Sequence, residues 1–266
     1  MKAATFNANS IRSRTEVICQ WLKTNQPDVL CVQETKVQDV NFPIEAFADT
    51  GYQIIYKGQK KYNGVAIFSR LKPDNIEDRL EKDPLNEARF LKAVIGDWII
   101  VNTYIPQGQE VGSEKFEYKL KWFKWLLEYF SGHFKPSDRI IWMGDLNVAI
   151  DERDVYDPKG LWGSVCFCKE VQEGLKEVLG WGFTDLFRQF CDQQGHYTFW
   201  DYRLAGGFNR NLGWRLDYIL ATTKASALCK NCLIDRQPRG AERPSDHTFV
   251  VAEFQDKPGQ TSKKIT

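Results

Sequence analysis

Several apolar runs in this chain end in a residue able to do chemistry. The clearest is IIWMGDLNVAI at 140–150. Ile140-Ile141-Trp142-Met143 fits a strand buried on both faces, and Gly144 permits a bend or a close backbone approach where it ends. Period-2 alternation then places Asp145 and Asn147 on one side and Leu146 on the other. Alone, this is an Asx-rich turn after a strand. Five further runs end comparably, in Asn7, Glu34, Tyr104, Asp217 and the pair Asp246-His247.

If those ends converge, one rim holds four carboxylates, two carboxamides, a phenol and an imidazole. Packed carboxylates repel, and one takes up a proton unless a cation lies among them. An oxygen-rich set suits a hard divalent ion, magnesium or manganese rather than zinc. Such an ion is usually completed by waters and a phosphate, so metal-assisted phosphoester hydrolysis is the chemistry to expect. Among the three histidines, His133 at a helix end and His196 in a Gln/Gly-rich loop read as surface residues. His247, in Pro-Ser-Asp-His before the final strand, reads as functional.

The elements that must position these groups follow from apolar periodicity. Strands are expected over 2–6, 28–33, 52–56, 64–69, 90–95, 98–103, 140–143, 214–221 and 248–254. The first helix follows Ser10 as its cap, carries Val17, Ile18, Trp21 and Leu22 as its stripe, and stops at Asn25 and Pro27. The longest begins at Ser113, carries Phe116, Leu120, Phe123, Leu127 and Phe130, and ends at Gly132. Shorter helices are expected over 42–50, closing at Gly51, and over 168–179, with Val171, Leu175 and Val178 inward. No linker or fixed-period repeat interrupts an order of strands, helix, strands that occurs twice. Many strands with helices set apart predict an α+β sandwich of two packed sheets flanked by helices, in two roughly similar halves.

The chain of 266 residues is long enough for one large domain, expected over 1–255, with a disordered tail over 256–266. Its net charge of +1 gives no global field for a polyanion, so a nucleic-acid site needs a local basic patch and metal neutralisation. No run is long and apolar enough for a membrane span, and the first six residues are too short for a signal peptide. A soluble cytoplasmic protein with no membrane partner is expected. Seven cysteines, an odd number, argue for reduced thiols. The spacings Cys229/Cys232 and Cys166/Cys168 suggest zinc, but neither pair lies near further ligands, so ordinary semi-buried cysteines are expected.

Six motifs, FNANSIRSR (6–14), QETK (33–36), NTYIPQG (102–108), GDLNVA (144–149), GWRLDYIL (213–220) and PSDH (244–247), recur in order along 2–254. On these the sequence resembles the exonuclease III family of AP endonucleases, within the endonuclease/exonuclease/phosphatase superfamily. The resemblance implies a four-layer αββα sandwich of two mixed β-sheets, as in deoxyribonuclease I. It implies a monomeric, Mg²⁺-dependent enzyme, with Mn²⁺ able to substitute. The reaction it implies is hydrolysis of the phosphodiester 5′ to abasic sites in double-stranded DNA, leaving a 3′-hydroxyl, with some 3′→5′ exonuclease activity.

Carried over residue by residue, the resemblance makes Glu34 the principal metal ligand, with Asn7 and Asp246 nearby. Asp145 orients or deprotonates the attacking water, and with Asn147 holds a second metal; Asn147 also donates to the phosphate. His247, oriented by Asp217, contacts the scissile phosphate, and Tyr104 lies against the phosphate or leaving group. Phe199, Trp214 and Leu216 match the pocket for a flipped, baseless sugar, where steric exclusion rejects intact nucleotides. Lys36, Gln107, Lys115, Arg203 and the basic loop at 57–61 are the candidates for DNA contact. Asn9 stands where some members carry Asp, and 159–164 lacks the Asn that some relatives use on DNA, leaving Trp162 to insert or stack. The competing readings are a sister phosphohydrolase on the same scaffold and a non-catalytic DNA-binding module. GWRLDYIL argues for the DNA-repair branch.

Overall fold

The computed structural model describes residues 1–255, so the tail expected over 256–266 lies outside the described residues. Twelve strands form two six-stranded sheets. Sheet 1 is ordered β11 (Cys229–Asp235), β12 (Phe249–Phe254), β1 (Lys2–Asn7), β2 (Val29–Gln33), β4 (Val65–Ser69), β3 (Gln53–Lys57). Sheet 2 is ordered β5 (Asp74–Glu77), β6 (Phe90–Ile95), β7 (Trp98–Tyr104), β8 (Ile140–Asp145), β10 (Asp217–Thr222), β9 (Phe183–Asp185). Among the described residues, only the central pairs, β1/β2 and β7/β8, are parallel. Parallel neighbours need a crossover, and helix α1 (Ile11–Asn25) supplies one and α2 (Glu114–His133) the other.

Alternation along the central strands assigns each side chain to one of three cores. Ala3, Ile100, Ile141, Met143 and Ile219 lie in the core between the sheets. Ala4 and Phe6 join the core under α1, with Ile18, Trp21 and Leu22. Ile140, Trp142 and Leu220 join the core under α2 and a further helix at Lys169–Gly180, with Phe123, Phe130, Val171 and Leu175. The result is the expected four-layer αββα sandwich of two mixed sheets. Among the described residues, no helix is long and apolar enough to cross a membrane.

Two glycines let backbones approach beside the site. Gly144 has φ 148°, and a Cβ there would lie 1.9 Å from the Thr103 carbonyl oxygen of β7, so the close approach expected at this strand end is real. Gly64 has φ 96°, and a Cβ there would lie 1.9 Å from Thr35 Oγ1 in the loop after Glu34.

Some local expectations are corrected. The segment Ile44–Thr50 is a 3₁₀ helix, although it closes at Gly51 in the left-handed region as expected. Helix α2 runs through Gly132 to His133. Ser113 caps it, accepting from Phe116 N at 3.2 Å. Ser10 makes no side-chain cap; its φ of 97° instead turns the chain, and its N–H donates to Glu34 O at 2.8 Å. Strand β10 starts at Asp217, and Trp214 precedes it in isolated bridges to Val155 and Phe199.

Candidate active site

The alternation that builds the inter-sheet core also aims the chemistry. Asn7 stands four residues beyond Ala3, Tyr104 four beyond Ile100, Asp145 two beyond Met143, and Asp217 two before Ile219. All four therefore face the cleft between the sheets at one rim. Register confirms the convergence: Tyr104 is paired with Asp145, and Asp145 with Asp217. Glu34 follows β2 directly, and its φ of 51° turns it out of the strand. Asn9, Ser10, Lys36 and Asn147 around it also have positive φ. Such backbone costs about 1–3 kcal/mol per residue and gathers where surroundings over-determine it. Here the loops are zipped together by Ala8 N→Gln33 O, Ser10 N→Glu34 O and Thr35 N→Gly64 O.

At the centre, Asn7 Nδ2 donates to Glu34 Oε1 and to Asp145 Oδ2, each at 2.8 Å. Lys36 Nζ lies 2.7 Å from Glu34 Oε2 and also donates to Asn9 Oδ1. Asn9 Nδ2 donates to Asp246 Oδ1 at 2.9 Å, drawing Asp246 into the same network. His247 Nδ1 is 2.7 Å from Asp217 Oδ2, and Nε2 is 3.8 Å from Asp145 Oδ2. Ser245 Oγ fixes this turn, donating to Asn7 O at 2.7 Å and accepting from His247 N.

The electrostatics separate these acids. Burial raises the Asp145 carboxyl, and repulsion from Asp217 and Glu34 adds to it against the opposing pull of His247, leaving it at about 7. Burial also opposes ionisation of Glu34, yet Lys36 and the Asn7 amide outweigh it and hold that carboxyl below its usual range. Burial disfavours the His247 cation, but Asp217 and Asp145 more than compensate and raise it to about 10. His247 is thus held as an imidazolium at neutral pH, a donor on both nitrogens. Its ring nitrogen lies with oxygens of Glu34 and Asp145 within 4.8 Å of one another. Burial, then Glu34 and Asp145, push the Tyr104 phenol well up, so it stays protonated.

A hard cation fits this donor set. Two adjacent carboxylates, one held anionic and one pushed to about 7 by burial and by its acidic neighbours, are the electrostatic signature of a site that gains by taking up positive charge. Glu34 and Asp145 would hold it, with Asp246 reached through Asn9. Asn7 points its N–H₂ at both acids, and its Oδ1 accepts from Asn9 N at 2.9 Å.

The other expected site residues fall into three groups. Asn147 lies beyond the strand with φ 50°, so alternation does not govern it. Its N–H donates to Asp145 Oδ1 at 2.9 Å and its Nδ2 to Ile105 O at 3.0 Å, which keeps it against Asp145 but engages its amide. Phe199 borders the site, its ring centroid 4.9 Å from that of His247. Trp214 is half-buried on Ala149, Val155 and Phe167. Leu216 is only 4% exposed, its backbone oxygen accepting from Leu146 N and its N–H donating to Thr198 Oγ1. Gln107 and Lys115 are exposed near the start of α2, and exposed Arg203 is paired with Asp201. The structure does not bring these last three into the central network. Lys36, expected as a DNA contact, is drawn into the site by Glu34.

Sequence reasoning missed Ser245, Thr198 and Lys119, and it noted Asn9 only as a departure from the family's Asp, not as the link between Lys36 and Asp246. Thr198 Oγ1 accepts from both Leu216 N and Asp217 N. Lys119 is fully buried and donates to the carbonyl oxygens of Gln107, Asn147 and Val165. A signal for Lys119 existed, since it sits on the Phe116/Phe123 stripe, where a charge demands a reason.

The same fold occurs in known proteins. A model of the Endonuclease/Exonuclease/phosphatase family matches residues 4–247. The chain belongs to the endonuclease/exonuclease/phosphatase family. Within this family it is 31% identical to exodeoxyribonuclease III of Haemophilus influenzae, over 96% of this chain and 100% of that protein. Among solved structures, an AP endonuclease from Archaeoglobus fulgidus has a TM-score of 0.94 and 42% identity, covering 96% of this chain and 100% of that one. A 3′ phosphatase from Neisseria bound to a product DNA hairpin has a TM-score of 0.90 and 34% identity, with the same coverage of both chains. This family member is a hydrolytic nuclease of the exodeoxyribonuclease III and AP endonuclease group, and its rim brings Glu34, Asp145 and His247 close enough together to hold a metal ion.

Proposed function

We propose that the chain cleaves double-stranded DNA on the 5′ side of abasic nucleotides, leaving a 3′-hydroxyl, with some 3′→5′ exonuclease activity. The cation is Mg²⁺, with Mn²⁺ able to substitute. The observation that carries this reading is the pairing of an anionic Glu34 with a proton-accepting Asp145, opposite a charged His247 held by Asp217. Names of similar proteins, exodeoxyribonuclease III and AP endonuclease, support DNA and the abasic site as the target.

Phosphodiester hydrolysis needs charge neutralised on the non-bridging oxygens, a positioned nucleophile and help for the leaving oxygen. The divalent ion, when bound, supplies Lewis-acid neutralisation of the phosphate. Asp145, near neutrality in its proton affinity, orients the attacking water and takes its proton. His247, kept charged by Asp217, donates from Nε2 to the phosphate. Tyr104, kept protonated, donates to the phosphate or leaving oxygen. Asn147 stays beside Asp145 and contributes to the phosphate pocket. Phe199 and Trp214 wall the sugar site, and exposed Gln107, Lys115 and Arg203 supply backbone contacts. A single chain furnishes every one of these groups, so a monomer suffices. All seven cysteines carry free thiols, in keeping with a reducing cytoplasm as the working compartment.

The test is a labelled duplex with one abasic site, incubated with Mg²⁺ or EDTA, with cleavage position and end chemistry resolved. A 3′-phosphate duplex runs in parallel, because one solved neighbour is a 3′ phosphatase. The expected result is Mg²⁺-dependent incision leaving a 3′-hydroxyl. Full activity in excess EDTA, or a β-elimination product, contradicts the proposal.

A further inference from the structure

The site draws on both sheets. Asn7 and Glu34 come from sheet 1, and Tyr104, Asp145 and Asp217 from sheet 2. Its geometry therefore depends on how one sheet is offset against the other. The core between them is largely apolar, with Val29, Cys31 and Ile67 facing Ile100, Ile141 and Met143. Apolar packing is non-directional and sets that offset only loosely.

One layer beneath the rim the core turns polar. Thr5, Gln33 and Asn102 are each 0% exposed. Gln33 Nε2 donates to Asn102 Oδ1 at 2.7 Å and to Thr5 Oγ1 at 2.9 Å. Asn102 Nδ2 donates to Val32 O at 3.1 Å and Ala66 O at 2.9 Å. Asn102 belongs to β7 of sheet 2, whereas Thr5, Val32, Gln33 and Ala66 belong to β1, β2 and β4 of sheet 1. Three of these four bonds thus cross between the sheets. Below the rim, no other side-chain hydrogen bond joins strands of the two sheets among the described residues.

Stability does not demand this arrangement. Burying amides costs desolvation, and Gln33 Oε1 is left buried without a partner. Apolar side chains of similar shape at both positions are often neutral or better. Directional bonds add a fixed relation between the two backbones. Both residues stand where that relation matters. Gln33 immediately precedes Glu34 and is the register partner of Asn7. Asn102 lies two residues before Tyr104 on the same face, and its partner Met143 lies two before Asp145.

We infer that Gln33 and Asn102 are positioning residues whose cross-sheet bonds set the offset of Glu34 against Asp145, and through it the affinity for the divalent ion. The inference rests on reading the rim as a metal site. Residues behind the ligands of a metal commonly change its affinity about 10- to 100-fold when replaced.

The test measures Mn²⁺ binding calorimetrically in the full chain without DNA, with a melting curve for each protein. Asn102→Leu and the double variant Gln33→Leu/Asn102→Leu should bind Mn²⁺ about tenfold or more weakly; the double variant should melt close to the wild type, and Asn102→Leu somewhat lower because Gln33 Nε2 loses a buried acceptor. Thr5→Val, in the same layer but without a cross-sheet bond, should keep wild-type affinity. If Asn102→Leu fails to fold, Gln33→Leu removes one crossing bond and should show a smaller loss in the same direction. Wild-type affinity in folded Asn102→Leu or Gln33→Leu overturns the inference while leaving the metal reading intact, and so does an equal loss in Thr5→Val. Failure of the wild type itself to bind Mn²⁺ overturns the metal reading and the inference with it.

Discussion

Sheet 1 and sheet 2 share one pattern of neighbours: two antiparallel pairs, a central parallel pair crossed by a long helix, then two more antiparallel pairs. Their parallel pairs reach the same rim differently. In sheet 2 the pair ends in Tyr104 and Asp145, so its carboxylate is the last residue of a fully buried strand. In sheet 1 the pair ends in the amides Asn7 and Gln33, and the carboxylate comes one residue later at Glu34, outside the strand and beside Lys36. Corresponding places thus give opposite acids. Burial and repulsion leave Asp145 at about 7, while Lys36 holds Glu34 below the usual range. A permanent anion suits holding a cation, and an acid near neutrality suits moving a proton. On the proposed reading Glu34 chiefly holds the cation while Asp145, which also faces it, moves the proton, and the difference between the two acids comes from one residue of offset and one neighbouring lysine.

The largest effects should come from the sheet 2 side of that division. Asp145→Asn and His247→Asn should each slow the chemical step by ~10² to 10⁴-fold while DNA binding persists. A near-normal single-turnover rate in either variant removes that residue from the chemistry. A smaller effect concerns the wall formed just before β10. Trp214→Ala should weaken abasic-site binding by about 1–3 kcal/mol, and cleavage at intact nucleotides should rise relative to abasic sites. An unchanged ratio with a large fall in melting temperature would make Trp214 a packing residue on Val155 and Phe167 only.

The smallest effect is on stability against pH in the metal-free protein. Asp145 is raised from 3.8 to about 7, so its proton-linked stabilisation is full below 3.8 and lost as pH rises through about 7. His247 is raised from 6.5 to about 10, so its contribution is full below 6.5 and lost as pH rises through about 10. The melting temperature in EDTA should therefore fall in two stages with rising pH, and Asp145→Asn should abolish the first. Persistence of that first stage in the variant would assign it to another group.

Where strand pattern and chemistry coincide, the site was legible. Tyr104, Asp145 and Asp217 each terminate or open a buried apolar strand, so alternation both locates them and aims them into the cleft. Asn147 and Glu34 were found by position, but their positive φ hid their orientation, since no alternation applies to a left-handed residue. Asn9, Ser245 and Thr198 act through loops closed by residues far away in sequence, and local periodicity carries no trace of such closures. Three of the four edge strands were lost for another reason. DNIE of β5 is polar and mostly exposed, β9 has three residues, and the CKNCLID of β11 drew attention to its cysteines instead of its alternation.

The division of labour between the sheets is tested most directly by one titration. Single-turnover incision of an abasic duplex is measured against Mg²⁺ concentration for the wild type, Glu34→Gln and Asp145→Asn, with EDTA as the zero point. Glu34→Gln should shift the curve to higher Mg²⁺ and recover much of the plateau. Asp145→Asn should lower the plateau by ~10² to 10⁴-fold with a smaller shift in its midpoint. Indistinguishable curves for the two variants, or wild-type incision that persists in EDTA, would contradict the account.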